Sequence, residues 1–255
     1  MSDKAKSDGP EVSVVIPVYN EEESLRPLWE ALSPVLEALG RSWEVLLVDD
    51  GSTDGSLREM LSIRRLDPRV RVIQLERNRG QSAAFWCGFE NARGEVVVTM
   101  DADLQNDPAD LPLLLEALRG ADVAIGWRTE RRDPFVKRAS SRIANGWRNW
   151  ITGDRIHDVG CSLKAFRRPV IDRLFPFRGM HRFFPTLARV AGFRVVEVPV
   201  RHHPRARGKS KYGTLNRLVG PLVDCFAVSW MRRRYVGDVA GREVTDPADM
   251  EAPRS

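Results

Sequence analysis

Glu95-Val96-Val97-Val98-Thr99-Met100-Asp101-Ala102-Asp103, residues 95–103, reads as a short apolar strand that runs straight into two carboxylates. An apolar strand leading to a polar segment occurs three times earlier. Val12 to Val18 is apolar and β-branched and leads into Tyr19-Asn20-Glu21. Trp43 to Val48 leads into Asp49-Asp50-Gly51-Ser52, and Val70 to Leu75 leads toward Asn78-Arg79-Gly80. Between these runs the spacing predicts helices. Leu25, Leu28, Trp29, Leu32, Val35, Leu36 and Leu39 recur at helical intervals over 21–39, with Gly40 as a stop, and further helices are expected over 52–65, 80–92 and 109–119. A fifth strand is expected at Asp122 to Gly126. Near-continuous apolar strands alternating with helices imply an α/β domain, a Rossmann-like, mostly parallel sheet flanked by helices. Ligands of such sheets bind beyond the carboxyl ends of the strands, so the four polar segments should converge on one rim.

The second half is less regular. A basic helix is expected from Pro134 to Thr152, a strand from Gly160 to Phe166, a helix from Met180 to Ala191 and a strand from Arg194 to Val200. A basic loop, Arg201 to Tyr212, leads to a last helix from Leu215 to about Arg234. The expected organisation is a disordered N-terminus over 1–10, a catalytic domain over 11–213, an amphipathic interface helix over 214–236 and a polar, disordered tail over 237–255.

The 255 residues are 42% hydrophobic and 29% charged, enough to bury a sizeable core, and carry a net charge of +5. The positive charge is concentrated. Arg128, Arg131, Arg132, Lys137, Arg138, Arg142 and Arg148 face only Glu130 and Asp133 over 128–148, and 201–217 holds no acid at all. Two solvated basic faces or two anion-binding segments would both look this way. Neither segment interleaves aromatics as a nucleic-acid binder would. Cys87, Cys161 and Cys225 lack metal-ligand spacing, and their odd number points to a reducing, cytoplasmic setting. The polar N-terminus does not read as a secretory signal, and Leu218 to Trp230 falls short of the roughly 20 apolar residues that span a bilayer.

Two carboxylates one residue apart can hold a hard divalent cation, Mg²⁺ or Mn²⁺, which takes one or two carboxylates and completes its shell with substrate phosphates. Asp101 and Asp103 are that pair, and Gln105 can add a carbonyl oxygen. In Asp49-Asp50-Gly51-Ser52-Thr53, Ser52 or Thr53 can cap the next helix and Gly51 can make the turn. Two successive acids at a buried rim still need partners, and a ribose hydroxyl or a base N–H would serve. His202-His203 has no further ligand for a zinc site, and His181 reads equally as a substrate contact or a helix-start hydrogen bond. Trp147, Trp150 and Trp230 read as core or interface residues.

Val14-Val15-Ile16-Pro17-Val18-Tyr19-Asn20-Glu21, Val48-Asp49-Asp50-Gly51-Ser52-Thr53-Asp54 and Asp101-Ala102-Asp103-Leu104-Gln105 together resemble the family 2 glycosyltransferases in order and spacing. Gly126-Trp127-Arg128, 137–142, 179–183 and 205–212 are similar to its polyprenyl-phosphate branch, of which dolichol-phosphate mannosyltransferase is a member. The resemblance covers about residues 11–235. It implies a GT-A fold and an inverting transfer of sugar from a nucleotide-sugar, GDP-mannose or a UDP-sugar, to a polyprenyl (dolichyl or undecaprenyl) phosphate. By the resemblance, Pro17, Tyr19, Glu21, Val48 and Asp50 hold base and ribose, and Asp101, Ala102, Asp103 and Gln105 hold the diphosphate and its Mg²⁺ or Mn²⁺. Arg128, Lys137, Arg138 and Ser141 take the lipid phosphate, Arg205 and Lys211 close over the donor, and Asp103 and Arg128 carry the catalysis. Trp127 departs from the pattern, in which a small residue often precedes the arginine.

Two acid-poor basic segments suit a reaction between two anions. The helix near the C-terminus, with apolar residues at helical spacing and Arg232-Arg233-Arg234 at its end, suits either a bilayer surface or packing on its own domain. Peripheral association with the cytoplasmic leaflet, aided by a membrane-protein partner, is the expected location. Two other readings stay open: a family 2 enzyme acting on a saccharide hydroxyl, with Asp154 or Asp158 as base, and a non-catalytic basic binding module.

Overall fold

The computed structural model describes residues 9–128, 146–204 and 219–236. The expectations for 1–8, for Lys137, Arg138 and Ser141, for Arg205 and Lys211, and for the tail after 236 lie outside these residues.

Seven strands form one sheet: β1 (Val12–Val18), β2 (Trp43–Asp49), β3 (Val70–Gln74), β4 (Val96–Thr99), β5 (Val123–Arg128), β6 (Lys164–Arg167) and β7 (Val195–Val200). Their order is β3-β2-β1-β4-β6-β5-β7. β3, β2, β1 and β4 pair in parallel, β5 and β7 pair in parallel, and β6 runs antiparallel to both β4 and β5. The expected α/β sheet is therefore present, with one reversed strand at its centre. The reversal matters for the site. The start of β6, and the turn before it, lie at the rim where the parallel strands end.

Helices cover both faces because alternate strand residues are apolar on both. Val14, Ile16, Val45, Leu47, Ala124 and Ala165 pack under α1 (Glu22–Ala38), α2 (Ser56–Leu66) and α4 (Leu111–Ala117). Val15, Leu46, Val97, Val123, Ile125 and Phe166 pack under α3 (Gln81–Asn91), α6 (Arg168–Ile171), α7 (Phe184–Val190) and α8 (Val219–Arg234). A further helical stretch, α5, is described over 146–152. Gly88 lets α3 approach β1, since a Cβ there would lie 2.2 Å from a Val15 methyl.

The lower face is built on aromatic rings. Phe89 lies 6.2 Å from Phe85, 6.2 Å from Phe166 and 5.4 Å from Phe184, centroid to centroid. Phe89 is 1% exposed and bridges α3, β6 and α7, so nothing can collapse into its place without moving three elements. Phe89→Ala should cost about 3–5 kcal/mol, the range for a large buried ring. Urea unfolding followed by circular dichroism would measure it, and a loss under about 1 kcal/mol would contradict this packing account.

Several expected bounds move. The second helix begins at Ser56, not Ser52, and its N-cap position is Gly55. Ser52 and Thr53 do not cap it. The Ser52 hydroxyl accepts from the Asn20 amide at 3.0 Å, and Asn20 Oδ1 accepts from the Thr53 amide at 2.7 Å, so this turn binds the turn after β1. The expected helix over 180–191 divides into a 3₁₀ turn (Met180–Arg182) and α7, which opens with Pro185 in its first turn. Lys164, not Gly160, begins β6, because the residues before it are spent on side-chain contacts at the rim.

Candidate active site

The rim is assembled by register. Val18 of β1 pairs with Asp49 of β2, and Val15 of β1 pairs with Thr99 of β4, so the segments after these three strands emerge side by side. Tyr19 and Pro17 are half-buried there, and Glu21 is held by its amide, which donates to the Ser56 hydroxyl at 2.8 Å. Val48 is fully buried in the core, so only its backbone can meet a ligand.

Asp49 ends β2 and Asp50 follows it, and the two carboxylates have different partners. Asp50 accepts from the backbone amides of Arg79 at 2.8 Å and Gly80 at 2.9 Å, at the start of α3. Burial raises its pKa, and those two amides oppose the rise. Asp49 accepts from the Ser52 amide at 2.9 Å, while its other oxygen, Oδ2, is buried without a hydrogen-bond partner among the described residues. Gly51 makes the turn after them with φ of 72°, and a Cβ there would lie 2.5 Å from the Asn78 amide nitrogen. This close approach brings the second and third rim turns together.

After β4 the chain supplies Asp101, Ala102, Asp103 and Gln105. Ala102 and Asp103 are buried. Leu104 between them and Gln105 has φ of 62°, a left-handed conformation that costs an L-residue about 1–2 kcal/mol and that reverses the chain here. Asp101 accepts from Gln81 Nε2 at 2.8 Å, and the neighbouring Ser162 works to lower its pKa. Burial, and then the neighbouring Asp103 carboxylate, push Asp101 up to about 6. Two mutually repelling carboxylates in a low-dielectric rim suit a divalent cation. Among the described residues no cluster of three His, Cys, Asp or Glu side chains forms a metal site, so remaining ligands would come from Gln105, water and donor phosphates, as Mg²⁺ and Mn²⁺ prefer.

Arg128 ends β5. Its Nε and Nη2 pair with Asp158 at 2.6 and 2.9 Å, and Asp158 is 1% exposed. Lys164 is 3% exposed and lies between Thr99 of β4 and Ile125 of β5. Its ammonium donates to the Cys161 carbonyl, and burial lowers its pKa while Asp101 and Asp158 raise it. Trp127 stacks on His157 with centroids 4.7 Å apart, and Glu197 holds His157 through Nδ1 at 2.7 Å. The root of the basic loop is fixed beside Gln105. The Gln105 carbonyl accepts from the His203 amide at 2.9 Å and contacts His202 Nδ1 at 3.1 Å, which is a structural role for this histidine pair.

His181 belongs to the framework. Its Nδ1 lies 2.8 Å from the Ser82 hydroxyl, which accepts from the Gly179 amide, and burial pushes the ring down to about 3, so it stays neutral. Asp154 is enclosed by Thr152, Thr186, Arg148 and Arg189. Gln81, Ser162 and Lys164 were not among the expected site residues. The hint in the sequence was a lysine inside an apolar run, Cys161 to Phe166, where only a reversed strand places it at the rim.

The family model described as "Glycosyl transferase family 2" matches residues 13–175. The chain is 41% identical over 231 residues to the dodecaprenyl-phosphate galacturonate synthase of Rhizobium johnstonii, covering 88% of this chain and 68% of that protein. It is 40% identical over 225 residues to the undecaprenyl-phosphate 4-deoxy-4-formamido-L-arabinose transferase of Salmonella newport, covering 87% of this chain and 69% of that protein. Crystal structures of glucosyl-3-phosphoglycerate synthase from Mycobacterium tuberculosis share the GT-A fold at 20% identity. One, holding Mn²⁺, UDP and phosphoglyceric acid, gives a TM-score of 0.66 over 90% of this chain and 80% of that one. Another, holding Mg²⁺ and UDP, gives 0.66 over 86% of this chain and 80% of that one.

Proposed function

We propose, on the premise that this chain belongs to glycosyl transferase family 2, that it transfers a sugar from a nucleotide-sugar to a polyprenyl phosphate. The observation that carries this reading is the turn over 158–162. Through Ser162 it is bonded to Thr99, two residues before Asp101, and through Asp158 it holds Arg128, so an acid pair suited to a cation and an arginine suited to a phosphate meet across one turn. The relatives named above support the same acceptor class.

In the proposed reaction an oxygen of the lipid phosphate attacks the anomeric carbon opposite the departing diphosphate. One C–O bond forms, the bond to the β-phosphate oxygen breaks, and the anomeric centre inverts. A phosphate monoester has a second pKa near 6, so at pH 7 it is already the nucleophile and no proton has to be removed. This fits the carboxylates at hand: Asp154 and Asp158, which a hydroxyl acceptor would need as base, are both committed to arginines. Asp101, Asp103 and Gln105 would hold Mg²⁺ or Mn²⁺, which neutralises charge on the leaving diphosphate. Gln81 and Ser162 orient Asp101, and Arg128 screens the repulsion between the two substrates. Tyr19, Glu21 and Asp50 would take the nucleoside, and Lys137, Arg138, Ser141, Arg205 and Lys211 are proposed for the phosphates on the strength of the resemblance. Incubating the protein with radiolabelled GDP- and UDP-sugars, Mn²⁺ and vesicles of undecaprenyl phosphate tests this. Label in the organic phase is expected, and label on added oligosaccharide alone would overturn it.

The acceptor's tail stays in a bilayer, so the site must approach one. No helix among the described residues is long and apolar enough to cross a membrane. α8 packs on the domain with one side and faces solvent with the other: Cys225 and Val228 are buried, while Val223, Phe226 and Trp230 are 61%, 59% and 63% exposed. α5 meets α8 where Arg232 donates to the Thr152 carbonyl, and it adds exposed Trp147 and Trp150. These rings beside Arg233 and Arg234 suit an anionic bilayer surface, and the cytoplasmic face is the proposed side. Phe226→Glu with Trp230→Glu should weaken sedimentation with anionic vesicles tenfold or more, since each buried large apolar side chain is worth about 1.5–3 kcal/mol. Unchanged vesicle binding would remove α8 from the interface.

A further inference from the structure

A lysine at the centre of a sheet needs an explanation. Lys164 pairs with Thr99 on one side and Ile125 on the other, and it is 3% exposed. A valine or isoleucine would fill such a position at less cost, because a buried charge is expensive unless it is paired and hydrogen-bonded. The Cys161 carbonyl takes one of its protons but supplies no charge. The acids whose field it feels are Asp101, at the end of β4, and Asp158, the partner of Arg128.

The turn in front of Lys164 is fixed at both ends. The Ser162 carbonyl accepts from the Thr99 hydroxyl at 2.6 Å, and the Ser162 hydroxyl accepts from Asn106 Nδ2 at 2.7 Å. The Leu163 carbonyl accepts from the Gly126 amide at 2.9 Å, and the Gly160 amide donates to Asp158 at 3.1 Å. One short segment is thus bonded to the strand that bears the acid pair and to the strand that bears the arginine. Lys164 closes it from below through the Cys161 carbonyl.

We propose that Lys164 is a positioning residue: its buried ammonium fixes the 158–162 turn and so sets the distance between the Asp101–Asp103 pair and Arg128. The inference rests on the transfer reaction proposed above. Each half-site is built mainly from its own strand, so loss of Lys164 leaves each substrate its binding groups and disturbs their relative placement. The consequence falls on turnover, because misplacing reacting groups by about 1 Å can cost roughly 100-fold.

The test compares wild type, Lys164→Met and Lys164→Arg, with rates normalised to the folded fraction from circular dichroism. Lys164→Met is expected to lose about 100-fold in kcat with both KM values within about threefold of wild type, and Lys164→Arg to recover most of the loss. Amide hydrogen exchange over 158–163 should rise in Lys164→Met and return in Lys164→Arg. If Lys164→Met does not fold, Lys164→Gln, which keeps a donor for the Cys161 carbonyl and no charge, takes its place. Turnover per folded molecule near wild type, a loss confined to one KM, or unchanged exchange over 158–163 would each overturn the proposal. Failure of the underlying reading shows separately, as wild-type protein that moves no sugar to polyprenyl phosphate; the exchange measurement then decides whether Lys164 holds the turn.

Discussion

Asp103→Ala is expected to lower kcat/KM for sugar transfer by about a thousandfold while leaving the fold intact. A cation at the leaving diphosphate is worth several kcal/mol, and each 1.4 kcal/mol is about tenfold. Asp103 is one of only two carboxylates proposed to hold it. The stability side has the opposite sign. Asp103 is one reason Asp101 is pushed up to about 6, so removing it relieves repulsion in the metal-free protein. Tm without metal should therefore hold or rise slightly, whereas the rise in Tm on adding Mn²⁺ should vanish. A ligand at a hundred times its Kd contributes about 2.7 kcal/mol, so the lost shift is measurable by scanning fluorimetry. A variant that keeps a tenth of wild-type activity would remove the pair from the mechanism.

The second large effect is expected at Arg128, and it divides into two parts. Asp158 takes two of the five N–H donors of the guanidinium, so the planar fork can keep Asp158 on one edge and meet a phosphate on another. Arg128→Ala should cost about 100-fold or more in kcat/KM for the lipid phosphate and should also destabilise, since buried Asp158 loses its two-pronged cation partner, a change of about 3–5 kcal/mol where a buried pair is broken. Arg128→Ala with Asp158→Asn should recover much of the stability and none of the activity. Urea unfolding and steady-state rates measure the two parts independently. Recovery of activity together with stability would mean that Arg128 serves only to neutralise Asp158.

Much of this fold was legible in the residues. β1 to β4 are apolar runs with polar ends, as strands of a sheet covered by helices on both faces read. The acid pair and the rim followed from the strand ends. What the sequence concealed is direction. A four-residue strand such as Lys164–Arg167 carries no periodicity that separates parallel from antiparallel, and direction alone decides whether Ser162 and Lys164 lie at the rim or at the opposite edge. Ser52 and Thr53 were misread for a related reason. A hydroxyl before a helix usually caps it, but the left-handed Asn20 at φ of 54° offers a tertiary partner no local rule anticipates. Asp158 and Arg128, distant in the chain, became a pair only once β6 was placed.

The reversed strand also has a consequence for the order in which the protein is made. β5 pairs only with β6 and β7, both of which follow it, and β4 likewise waits for β6 on one side. Ile125 leaves the ribosome well before Lys164, its neighbour in the sheet. At roughly 5–20 residues per second the interval is about 2–8 s. Throughout it one edge of β4 and both edges of β5 stand open, a state that invites pairing with other chains. The four residues of β6 therefore close one edge of β4 and one of β5 at once, and β7 closes the other edge of β5.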